Sequence, residues 1–171
     1  LDAISAHDEI AKVIDWLPVH KILSLGVVNG RNVWKTDLTA ALDWLEPVHA
    51  RLQDRMWLAP SCSLLHAPVD LESEQKLDRD IRSWLAFAVQ KLDEIGLLAT
   101  ALNYGRGSVA EILRENSAAI TSRKQSKRVH KAAVKARVLE INDAMGTRQS
   151  PYRQRAIVQQ TRFQLQPFPT T

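Results

Sequence analysis

The chain reads as an α/β protein that turns into an all-helical one, and three observations predict this. Lys21 to Val28 (KILSLGVV) is an apolar, β-branched run that stops at a polar loop, Asn29-Gly30-Arg31-Asn32. Met56 to Ala59 (MWLA) is a second short run, closed by Pro60-Ser61-Cys62-Ser63. From Ser73 onward the spacing of apolar residues is helical almost without interruption. Mostly helical secondary structure is therefore expected for the chain taken alone.

Ser5-Ala6-His7-Asp8 has the spacing of a capping box, with Asp in place of the usual Glu. Ile10, Val13, Ile14 and Leu17 follow at helical intervals, and Pro18 ends the helix. After the strand Lys21–Val28, Asp37 is placed to cap a second helix whose inner face is Leu38, Leu42, Leu45, Val48 and Leu52. Pro47 lies inside that pattern and is expected to kink or split it. The strand Met56–Ala59 completes a β-α-β unit, which makes the two strands parallel. Asn29–Asn32 and Ser61–His66 then share the carboxyl edge of the sheet. That is where such folds keep their chemistry.

Leu77, Ile81, Leu85, Ala88, Leu92 and Ile95 form one stripe on a long helix running towards Asn103. Tyr104-Gly105-Arg106-Gly107 breaks it. Ser108, with Glu111, is placed to cap a helix with Val109, Ile112, Leu113 and Ile120 inward. Further helices are expected over about Val129–Met145, closed by Gly146, and over Pro151–Gln164, with Pro151 in the first turn. Gln166-Pro167-Phe168-Pro169 is expected to be extended and to act as a linker.

The 171 residues suit one domain of ordinary size. They are too few for a closed eightfold barrel, which takes roughly 200 or more. The 45% apolar content is that of a globular protein. No apolar run approaches the roughly 20 residues of a membrane span. The opening Leu1-Asp2-Ala3-Ile4 has neither a signal peptide's pattern nor an initiator Met, so residue 1 is not expected to be a natural start. One cysteine permits no internal disulfide and suits a reducing, cytoplasmic setting. Charge is uneven: residues 1–120 carry 12 Lys/Arg against 17 Asp/Glu, and residues 121–171 carry 11 against 2.

Leu23 to Leu38 (LSLGVVNGRNVWKTDL) and Leu58 to Leu71 (LAPSCSLLHAPVDL) closely resemble cobalamin-independent methionine synthase. The resemblance continues through SWLAFAVQKLDE (Ser83 to Glu94), SRKQSKRVHKAAV (Ser122 to Val134) and Phe168-Pro169-Thr170-Thr171. It implies the last two strands of that family's amino-terminal TIM barrel over residues 1–103, interdomain helices over 104–166, and the start of a linker to a catalytic barrel at 167–171. The family moves a methyl group from 5-methyltetrahydropteroyltri-L-glutamate to L-homocysteine with zinc and without cobalamin. By resemblance its zinc ligands, His, Cys, Glu and Cys, belong to the second barrel. The segment is then a non-catalytic scaffold, inactive by itself. Its partners are the rest of the same polypeptide rather than nucleic acid or membrane.

Cys62 and His66 are the residues most suggestive of a metal. The resemblance places Cys62 where the second barrel has a zinc ligand, as a relic of duplication. A catalytic zinc site wants three protein ligands, and a second cysteine is absent, so the expected set of catalytic, cofactor and metal residues is empty. Asn29 and Arg31 stand where the second barrel has groups that handle protons. Neither titrates near neutrality, so Arg31 is expected to be a structural ion-pair or amide partner, or else to meet an anionic folate tail. Arg123, Lys124, Lys127, Arg128, His130, Lys131, Lys135 and Arg137 form a basic cluster without interleaved aromatics for base stacking. Its expected role is a solvated or docked helix face. The alternatives are a polyanion-binding helical module and a truncated relative that self-associates as a dimer. Trp16, Trp34, Trp44, Trp57 and Trp84 are expected to pack between helices and sheet.

Overall fold

A computed structural model describes residues 1–164, 166 and 168. The chain divides into two compact units, Leu1–Ser126 and Lys127–Thr171. The boundary expected after residue 103 falls inside the first unit. Most of the expected linker, 167–171, lies outside the described residues.

The first unit opens with a 3-10 turn, His7–Glu9, that runs into α1, Ile10–Trp16. Ser5 does not cap it. Asp2 organises the entry instead, its Oδ1 accepting from the amides of Ile4 and Ser5 at 3.0 and 3.1 Å. Strand β1, Leu23–Val28, and strand β2, Met56–Pro60, pair in parallel, with Leu23 opposite Met56 and a register irregularity between Gly26 and Val28. Two named strands were expected. The structure adds a stub, because Asp2 bridges Gly26 in parallel. The Ala3 amide donates to the Gly26 carbonyl at 3.1 Å, and the Gly26 amide donates to the Leu1 carbonyl at 2.8 Å. β1 is therefore a central strand, which explains why five of its six residues are buried.

Between the strands runs α2, Leu38–Leu52, with the Asp37 side chain accepting from the Ala40 amide as expected. Leu38, Ala41, Leu42, Leu45 and Leu52 are buried, and Val48 only partly so. Pro47 does not split the helix. Proline inside a helix costs about 3 kcal/mol. Leucines on both sides of it, Leu42 and Leu45 before and Leu52 after, anchor the two halves to one core.

The long helix expected from Leu77 to Asn103 is two helices, α3 (Arg79–Ser83) and α4 (Ala88–Tyr104). Trp84, Leu85, Ala86 and Phe87 lie between them, and all four are buried. A helix buries one face, so four consecutive buried residues favour an extended segment. This one pairs with the chain leaving β1. Lys35 donates to the Trp84 carbonyl and Ala86 to the Val33 carbonyl, both at 2.9 Å. The break also changes the phase of α4. Its inner face is Lys91, Glu94, Leu98 and Ala101, and the expected Leu92 is 56% exposed. Gly105 ends α4 at φ 83°, a conformation that suits glycine.

A 3-10 turn, Arg106–Val109, leads into α5, Ala110–Gln125. Ser108 is not its cap, because the hydroxyl donates back to the Gly105 carbonyl at 2.7 Å. Arg106 pins this turn to α2 through Asp43 and Glu46 at 2.8 and 2.7 Å. Inward from α5 come Asn116 and Ile120, while Ile112 is exposed. The core joins Ile10 and Ile14 of α1, Leu25 and Val27 of β1, the α2 leucines, and Leu98 and Ala101 of α4. Of the tryptophans, Trp84 is buried, whereas Trp16 and Trp57 are 82% and 60% exposed, contrary to expectation.

The second unit contains α6 (Ala132–Leu139), α7 (Asp143–Gly146) and α8 (Tyr152–Phe163), none with a buried residue. The single helix expected over Val129–Met145 is interrupted at 140–142, where Asn142 takes the N-cap position of α7. Pro151 sits at the N-cap of α8 with ψ 157°, outside the first turn. No described helix is long and apolar enough to cross a membrane.

Candidate functional site at the carboxyl edge of the sheet

Parallel pairing brings the ends of β1 and β2 together, and the two loops interlock. The Ser61 amide donates to the Val28 carbonyl at 2.8 Å, extending the ladder by one rung. The Ser61 Oγ accepts from the Gly30 amide at 3.1 Å. Both glycines are required by close approach. A Cβ on Gly26 would sit 2.6 Å from the Ser61 Cα, and one on Gly30 would sit 2.9 Å from both the carbonyl oxygen and the Sγ of Cys62. Cys62 therefore packs against the backbone of the opposite loop, half-buried and as a free thiol.

The first loop is shaped by its own side chains. Asn29 Oδ1 accepts from the Arg31 amide at 2.8 Å, and Asn32 Oδ1 from the Trp34 amide at 3.1 Å. Arg31 reaches back to the stub and pairs with Asp2 at 2.8 Å. The Asp2 carboxyl falls to about 2, chiefly through the Ser5 amide and then through Arg31. The Arg31 guanidinium is raised in turn, by Asp2 first and then by the nearby Cys62. In the second loop, Ser63 caps the short turn Leu64–His66 by accepting from the Leu65 amide at 3.3 Å.

The edge thus gathers Asn29, Arg31 and Cys62 around the two interlocked loops. His66 is exposed, and no hydrogen bond joins it to Cys62 among the described residues. Among the described residues, no three His, Cys, Asp or Glu side chains converge there in a metal-binding group. A zinc that activates a thiol needs three protein ligands and an open position, and Cys62 with His66 does not fit that need. What the edge offers is an anchored cation, Arg31, beside a small polarizable thiol.

The basic cluster is divided. Arg123 lies over the Trp34 ring at 4.7 Å, and Lys124 pairs with Asp37 at 3.2 Å, so both serve the first unit. The other six belong to the second unit. There Arg137 pairs with Glu140 one turn on at 3.1 Å.

A polar brace on the segment leaving this edge has no counterpart in the sequence reading. Lys91, fully buried, donates from Nζ to the Trp34 carbonyl at 3.1 Å. Glu94 Oε1 accepts from the Thr36 amide at 2.8 Å. Asn116 clasps the next turn, donating from Nδ2 to the Thr36 carbonyl at 2.9 Å and accepting at Oδ1 from the Leu38 amide at 3.1 Å. Burial lowers the Lys91 ammonium, and burial raises the Glu94 carboxyl against the pull of Thr36. The spacing 91, 94, 98, 101 is a helical stripe, but two charges occupy it, so hydrophobic periodicity passes over it.

Residues 1–53, from the strand stub through α2, match the family model described as the N-terminal domain of cobalamin-independent synthase. Over that stretch, which includes β1 and the loop with Asn29, Gly30 and Arg31, the chain is similar to that family's N-terminal domain.

Proposed function

We propose that this chain is a scaffold segment of a cobalamin-independent methionine synthase. In this account residues 1–103 close the amino-terminal TIM barrel and residues 104–166 are interdomain helices. The parent, a cytoplasmic methyltransferase, passes the methyl group of 5-methyltetrahydropteroyltri-L-glutamate to L-homocysteine. Zinc in the parent's other barrel activates the homocysteine thiol, and no residue of this segment takes part in that step. The observation that carries the proposal is the family match over residues 1–53. The parallel β-α-β unit and its interlocked loops support it.

The contribution of this segment is mechanical. Gly26 and Gly30 let two strand ends meet, Arg31 ties them to the preceding stub, and the Lys91, Glu94 and Asn116 brace fixes the path into α2. The protein that contains these residues should form methionine from the two substrates without cobalamin. Failure to do so contradicts the proposal. The 171-residue chain by itself should form none and retain no stoichiometric zinc. One equivalent of zinc, lost on Cys62→Ser, would overturn the scaffold role.

A further inference from the structure

We draw no further inference here: the strongest candidate, the apolar groove between β2 and α4 that Met56, Trp57, Leu58, Ile95, Ala99 and Leu102 line, is an unpartnered face, and nothing in the structure shows what covers it.

Discussion

The two units draw on similar residues and end in opposite states. In Leu1–Ser126, leucines and valines from β1, α2 and α4 meet in one core, and Leu25, Leu42 and Leu45 are entirely buried. In Lys127–Thr171, Val134, Val138, Ile141, Ile157, Val158 and Phe163 are each more than half exposed. All but Ile141, which lies between α6 and α7, are carried by the helices of 8 and 12 residues, α6 and α8. Isolated helices shorter than about 12–15 residues are marginal in water. The comparison separates two sources of helical structure. α2 is held by what it buries, even across an internal proline, whereas α6 to α8 rest on local hydrogen bonds and propensity. An amphipathic face without a cover marks a surface that is completed by something else, and the interdomain role proposed for these helices provides such a cover.

The largest effect that sharpens this contrast is truncation of the core. Leu42→Ala should cost the first unit about 2–5 kcal/mol in urea unfolding. Leu139→Ala in α6, at an 87% exposed position, should stay within about 0.5 kcal/mol. Equal costs would break the comparison. Next comes the interlock: Gly30→Ala places a Cβ against Cys62 and should cost about 1–3 kcal/mol. A smaller cost would show that the loops part readily.

Much of the first unit was legible in the sequence. The apolar run Lys21–Val28, the Asp37 cap and the Leu38, Leu42, Leu45 spacing each report a local rule that the tertiary structure obeys. Three features were not legible, for separable reasons. Pro47 obeys tertiary burial rather than propensity. The run Trp84–Phe87 leaves the helix because it pairs with residues 33–35, a partner about fifty positions away that no local window contains. The brace of Lys91, Glu94 and Asn116 is polar and buried, so hydrophobic patterning assigns those residues to the surface. At the site, Arg31 as an ion-pair partner was legible as a kind of role. Its partner Asp2 was not, because nothing local announces that the first three residues add a strand stub.

The brace gives a smaller, pH-resolved effect. Glu94 is held above its ordinary value of 4.5 by burial. The folded state therefore binds that proton more tightly than the unfolded state. Its contribution is full below the unfolded pKa and is lost as pH rises through the folded one. The stability of wild type relative to Glu94→Gln should accordingly fall as pH rises above about 4.5, measured by urea unfolding across that range. A flat difference would contradict the burial of Glu94. Smallest is the exposed pair Asp2–Arg31. With Asp2 lowered to about 2 from 3.8, its contribution is present above 3.8 and is lost as pH falls through about 2. Asp2→Asn should remove only that acid limb.

Native-state hydrogen exchange on the 171-residue chain tests the contrast most directly, because it reads both units in one sample. The amides of β1, α2 and α4 should exchange only through global unfolding, while those of 132–163 should exchange with little protection. Comparable protection across the two units would contradict the account, since it would mean that the second unit is stable without the cover its exposed apolar residues call for.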